Sequence, residues 1–378
     1  MNFRDIGIFP YFKPMIVVLA FMTMFNNCTI QNPNPTVLDY LYVNQPYNVS
    51  MDPLNRLNKT YRVFSKINSS AFISDTNLLI KASSSNILDI FATNGDRING
   101  IKLSNCFVTP TQNWPIKVYN DSIYIWCENR SILQVFNKNL SKVHEIYCPK
   151  TTTIRDFIVN EHLVIFYNKA NPEYLISVFD RYSGIYLFET GKPTIEHRIM
   201  EQSINAGGMT LRNNSLFYCR ADCLNLYSIN LKSFEEDMVE IKVPEFVVAE
   251  YPINNLDSPI DYNLAYKFKA NSSSVAGLFL VKDTFMIVSE VGTYSYKNPS
   301  GEILYDNRYF LFLLYDFEKG IKKSLFKIND PMLSSDYVEF LTNGADLFSI
   351  SPSFSDNNDW VFLFSKISMM LVGASIPE

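Results

Sequence analysis

The chain has 378 residues, with 33 Lys and Arg against 38 Asp and Glu and a formal net charge of −5. Its basic residues are scattered, not striped, which excludes nucleic-acid binding through a clustered basic patch. It is 47% hydrophobic, enough for a large core, and its 13 Gly and 3 His leave little material for phosphate cradles or zinc sites.

Residues 1–27 read as a secretion signal. Arg4 and Lys13 precede an apolar run over 15–25. A membrane helix needs roughly 20 apolar residues, so this shorter run after a positive flank fits an export signal better. Cys28 follows, and the arrangement resembles a bacterial lipoprotein signal, in which that cysteine is acylated. The polar segment 29–36 contains two Pro and suits an extended tether. Residues 28–55 are therefore read as lipid-attachment cysteine and tether, and 56–378 as one domain.

From residue 75 a plan recurs six times: a polar turn, an apolar run, a second turn, a second apolar run, and a turn holding Asn or Asp. The first runs carry Leu78, Ile123, Leu163, Leu216, Phe285 and Leu347. The second runs cover 87–91, 133–136, 174–179, 224–229, 309–315 and 360–364. Ile, Val, Phe, Tyr and Leu dominate them, so short runs bounded by turns are strands. Asn and Asp suit the turns because they bond their own backbone and tolerate left-handed φ. A further strand is expected at 98–103, 143–147, 185–189, 238–243, 322–328 and 369–372, and another before several first runs.

Repeats of this length with four strands each predict an all-β chain, a six-bladed β-propeller with four-stranded antiparallel blades. A β-sandwich also uses short strands, but its Greek-key crossings break such regularity. Segment 61–67 is a candidate for completing the last blade.

The chain has six cysteines. Cys219 and Cys223 flank Arg220-Ala221-Asp222 at the tip between two strands, and are read either as a hairpin disulfide or as two buried thiols. Cys106 and Cys148, at the ends of successive outer strands, are too far apart to pair. With Cys28 acylated an odd number remains, so at least one is unpaired or intermolecular.

No catalytic, cofactor-binding or metal residue is assigned, and no cofactor is expected. The sequence lacks a G-x-S-x-G elbow, an H-E-x-x-H pair, and Walker and dinucleotide loops. His144 and His197 have Glu145 and Glu196 beside them, but neighbours on a strand point to opposite faces. Asp156, Glu250, Asp257 and Asp261 are placed in solvated connections between blades. Gly207-Gly208 reads as a tight turn into the fourth unit. Triplets at Asn48, Asn58, Asn139 and Asn271 would be glycan acceptors only in a eukaryotic secreted chain. Segment 292–307 lengthens the turn of the fifth unit and holds Tyr294 and Tyr296. It is a candidate recognition loop, the alternative being a plain surface hairpin.

With the repeats, the turn Phe179-Asp180-Arg181-Tyr182-Ser183-Gly184 and Cys28 together, the chain resembles the TolB-like six-bladed propeller lipoproteins of Bacteroidota, many of unknown function. It departs from the lipoprotein signal at Phe25, Asn26 and Asn27, where Leu and small residues are preferred. The resemblance implies an exported cell-envelope protein, lipid-anchored through Cys28 to the outer membrane. It would bind or scaffold an envelope protein, peptide or glycan through one face of the ring. The competing expectation is an enzyme, a lyase or metal-dependent hydrolase, with a site at the channel mouth.

Overall fold

Each predicted unit folds into four antiparallel strands. Blade 1 comprises Ile67–Ser74, Asn77–Ala82, Ile87–Ala92 and Arg97–Lys102, and blade 2 Ile116–Tyr119, Ser122–Cys127, Ile132–Asn137 and Lys142–Tyr147. Blade 3 comprises Ile154–Val159, Leu163–Asn168, Ile176–Asp180 and Tyr186–Thr190, and blade 4 Gly208–Arg212, Ser215–Cys219, Leu226–Asn230 and Glu236–Val239. Blade 5 comprises Ser274–Val281, Thr284–Lys297, Glu302–Asp316 and Gly320–Lys327. Blade 6 takes Glu339–Thr342, Leu347–Phe354 and Trp360–Leu371 from the C-terminal end of the chain and Tyr42–Tyr61 from the N-terminal end. The computed structural model describes residues 42–371, apart from 62–66, 83–84, 86, 103–114, 150–152, 170, 202–205, 253–259, 298–301, 318–319, 329–336 and 355–358. Some strand-end side chains and those of 294–307 also lie outside the description.

The apolar runs are continuous because both faces of each sheet are covered. Successive side chains on a strand point to opposite faces, and each face meets a different blade. In blade 1, Leu78 and Ile80 pack with Phe348, Ile350 and Phe364 of blade 6, while Leu79 packs with Ile123 and Ile125 of blade 2. In blade 5, Phe285 and Ile287 meet Phe217 and Leu226 of blade 4. Their neighbours Met286 and Val288 meet Phe340 and Leu347 of blade 6. A cluster running through blades 2, 3 and 4, including Trp126, Phe166 and Tyr218, completes the circuit. The clusters thus form a closed cycle of six neighbours, the six-bladed propeller. Each fully buried Leu, Ile or Phe contributes about 1.5–3 kcal/mol relative to exposure.

The turns follow the chemistry expected of them. Asn120 and Asp121 hold φ of 44° and 63°, and Lys282 and Asp283 hold 49° and 61°. In the turns to the outer strands, Asn137, Asp180 and Asn230 each accept bonds from backbone N–H groups two to four residues on. The left-handed position after each cap is Leu140, Gly184 or Phe234.

Ring closure departs from the sequence reading. The outer strand of blade 6 is not 369–372, because those residues through Leu371 continue the third strand. The N-terminal segment Tyr42–Tyr61 takes that place, pairing antiparallel with Trp360–Leu371 from Tyr47↔Leu371 to Tyr61↔Trp360. Its first residues also pair in parallel with the outer strand of blade 5 (Tyr42↔Ile321). Part of the expected 28–55 tether is therefore sheet, and the closing segment lies earlier than 61–67.

Blade 1 treats this strand as an ordinary neighbour. Gly184 of blade 3 lies so close to the Tyr147 carbonyl of blade 2's outer strand that a Cβ there would collide with it. Gly95 of blade 1 stands in the same relation to the Arg56 carbonyl. Asn58 N–H donates to Gly95 O (2.8 Å), Asn55 Nδ2 donates to Thr93 O (2.8 Å), and Lys59 pairs with the fully buried Asp89.

Candidate functional site

One face of the ring carries the inserted structure. Inner strands begin and outer strands end at this face, and the connections between second and third strands also lie on it. The link from blade 3 to blade 4 holds a helix, Ile195–Met200, capped by Thr194, whose side chain accepts from His197 N–H (3.1 Å). The link from blade 4 to blade 5 holds a second helix, Tyr262–Ala270, capped by Asp261. Ile199, Met200, Ala221, Tyr251, Ala265 and Phe268 pack the two helices against blade 4. Ala221 N–H donates to His197 Nδ1 (2.9 Å), and Thr194 Oγ1–H donates to Asp222 Oδ2 (2.5 Å). His197 Nε2 lies 2.7 Å from Glu201, so this buried histidine clamps the helix to the ring.

Segment 292–307 rises from the same face. Where described it is a paired ribbon, not a loose turn: the second and third strands of blade 5 pair from Phe285↔Tyr315 out to Lys297↔Glu302, with one register shift between Thr293 and Ser295. They run 14 and 15 residues, against 5 or 6 for the corresponding strands of blades 1–4. Its root is fixed by Arg308, which donates to Glu290 Oε1 (2.7 Å), to Ser272 O (3.1 Å) and to Gly292 O.

The inner strands of all six blades enclose a cavity of about 240 Å³. Ser70, Lys117, Asp156, Gly208, Phe279 and Glu339 line it, one from each blade. Most lie in the first half of their strands, so the cavity sits toward the helix-bearing face. Gly208 is required there, because a Cβ would fall inside 3.0 Å of Leu278 N. Lys117 Nζ pairs with Asp156 Oδ2 at 2.8 Å, and Arg155 stands beside them. Burial pushes the Glu339 carboxyl up to about 7; the Arg155 charge opposes this, Asp156 reinforces it, and Lys117 opposes it. A carboxyl tuned to neutral pH inside a cavity marks a candidate site. Among the described residues no group of three or more His, Cys, Asp or Glu is placed to hold a metal.

The residues singled out from the sequence fall in several places. Cys28 and Asp257 lie outside the described residues. Tyr294 and Tyr296 have their backbone on the first strand of the ribbon, and their side chains lie outside the description. Cys219 and Cys223 form no disulfide; both are free thiols, as is Cys148. Cys219 closes the second strand of blade 4, where its carbonyl accepts from Tyr167 OH (3.0 Å), while Cys223 Sγ lies 4.0 Å from Tyr227 OH. Burial pushes both thiols up, away from nucleophilic thiolate. Cys127, not singled out in the sequence, is held in a disulfide. Asp156 is in the channel, not in a connection, and Glu339 had no sequence signal beyond a lone carboxyl in an apolar run. His197 is helical and meets Glu201, not Glu196.

Solved structures share this fold. A member of the DUF4221 family from Bacteroides vulgatus aligns with a TM-score of 0.57 over 85% of this chain and 99% of that chain, at 10% identity. A protein from Bacteroides fragilis designated as exported aligns at 0.52 over 85% and 95%, at 13% identity. Virginiamycin B lyase from Staphylococcus aureus reaches 0.44 over 84% and 99%, at 12% identity, and carries no argument for this chain. No family model matches the sequence, and no curated protein is similar to it in sequence. At these identities the likeness shows the fold alone. Among the described residues no helix is long and apolar enough to cross a membrane.

Proposed function

We propose that this chain is an exported cell-envelope lipoprotein of TolB-like type, anchored through acylated Cys28, whose ring serves as a docking platform. Its partner is an envelope protein, peptide or glycan, bound on the helix-bearing face. The observation that carries this reading is the blade 5 ribbon. It prolongs two strands past the body of the blade and is held at its root by the buried Arg308–Glu290 pair. A rigid scaffold that projects one ordered element is built for recognition. Export is supported by the charged and apolar start of the sequence, and the exported designation of the Bacteroides fragilis structure agrees with it.

The test replaces residues 293–306 by a two-residue turn and screens both forms against envelope proteins, peptides and glycans. The shortened protein keeps its melting temperature and loses capture. Capture that survives the shortening contradicts docking through the ribbon. Palmitate labelling that persists in Cys28→Ala contradicts the anchor.

A further inference from the structure

The docking face makes no use of the cavity in the channel, whose lining is chemically mixed. At about 240 Å³ it lies below the roughly 300–1,000 Å³ of drug-sized pockets, so its occupant is a single small ring or chain. The lining joins two aromatic side chains, Phe72 and Phe279, to the charged groups Lys117, Arg155, Asp156 and Glu339. With Glu339 ionised, two cations and two carboxyls balance, so neither an anion nor a cation finds a surplus of opposite charge. The Ser70 hydroxyl, on a residue 8% exposed, has no hydrogen-bond partner among the described residues. The half-buried Glu339 carboxyl lines the same space.

We propose that this cavity binds one neutral monosaccharide ring. A pyranose offers what the lining lacks. Its C–H faces stack on aromatic rings, and its hydroxyls both donate and accept. Vicinal hydroxyls donate to the two oxygens of ionised Glu339, and other ring oxygens accept from Arg155 and Lys117. A hydroxyl also meets the unpaired Ser70 group, satisfying a buried polar atom that is otherwise costly.

Sugar hydroxyls donate best to the carboxylate, so binding favours the ionised form of Glu339. The charged groups facing it are Arg155, Asp156 and Lys117. Glu339 is the lining carboxyl whose titration is moved into the neutral range. With its carboxyl half-ionised at about 7, the competent fraction rises about tenfold from pH 6 to pH 8, and apparent affinity rises with it.

The experiment is isothermal titration calorimetry on the whole protein at pH 6 and pH 8. The probes are glucose, galactose, mannose, rhamnose and N-acetylglucosamine, with acetate, methylammonium and glycine as charged controls. At least one sugar binds with a Kd below about 10 mM, about tenfold tighter at pH 8, and the charged probes give no heat. Glu339→Gln, whose folding is checked by its melting curve, weakens the sugar at least tenfold; Ser70→Ala weakens it less. Shortening the ribbon leaves sugar binding unchanged, which separates this site from the docking face. Binding of only charged probes, no sugar binding, equal affinity at both pH values, or full affinity in Glu339→Gln each overturns the proposal.

Discussion

Gly95 and Gly344 form a matched pair that reports on ring closure. Both hold left-handed backbone, with φ of 98° and 88°. A Cβ on Gly344 meets nothing within 4 Å, whereas one on Gly95 would fall inside 3.0 Å of the Arg56 carbonyl of the N-terminal strand. Gly344→Ala therefore reports backbone strain alone, about 1–2 kcal/mol. Gly95→Ala adds two effects. Arg56 must shift, an overpacking cost of about 1–3 kcal/mol. The bond from Asn58 N–H to Gly95 O, 2.8 Å in the wild type, is weakened, at about 0.5–1.5 kcal/mol. Gly95→Ala should thus exceed Gly344→Ala by at least about 1.5 kcal/mol, the sum of those two lower bounds. Urea unfolding followed by circular dichroism gives both values. Equal destabilisation would mean that the N-terminal strand does not sit against blade 1, and would refute the closure.

Other expectations follow from buried charges and thiols. Glu339 has its folded pKa raised from 4.5 to about 7, so the folded state holds the extra proton between those values and stability falls as pH rises through them. Glu339→Gln removes that loss: the variant should gain on wild type from pH 4.5 to 7 and hold the gain above, as read by melting temperature. Asp89 is fully buried and accepts from Arg97 Nε (2.8 Å) beside Lys59 and the buried Lys81. Asp89→Asn should cost about 2–4 kcal/mol in urea, since it strips charge from a buried cluster. Burial lowers Lys81 to about 8, so the unfolded state binds more protons between there and 10.5, and stability rises with pH in that window. In Asp89→Asn the rise should begin at lower pH, and an unchanged onset would show that Asp89 does not hold the Lys81 charge. Alkylation of the denatured, unreduced protein with peptide mapping should label Cys148, Cys219 and Cys223 and spare Cys127; a Cys219–Cys223 crosslink would contradict the free thiols.

The second and third strands were legible because their apolar residues are continuous and their turns are marked by Asn and Asp. Leu78, Ile123, Leu216, Phe285 and Leu347 all lie on second strands and are buried. The N-terminal strand was not legible. Its sequence, with Pro46, Pro53 and several Asn, has neither alternation nor an apolar run. It is a strand because blade 6 lacks a fourth, a long-range pairing that local sequence does not encode. Its prolines sit at or beside register irregularities, where a missing N–H is tolerated. The channel was hidden for a related reason. The inner strands that carry Lys117, Arg155, Asp156 and Glu339 have only four to six residues and are partly polar, so these look like loop charges until six strands converge. The Thr194 cap opens a helix of only six residues, too short for a periodic signal.

The platform stands or falls with the closing strand, and native-state hydrogen exchange observes it directly. In a closed ring the amides of residues 48–57 that donate to blade 6, every second one on this edge strand, exchange as slowly as those of their partners at 362–370. Fast exchange across 48–57, with slow exchange retained in the partner strand, would return the segment to a free tether and leave the ring open.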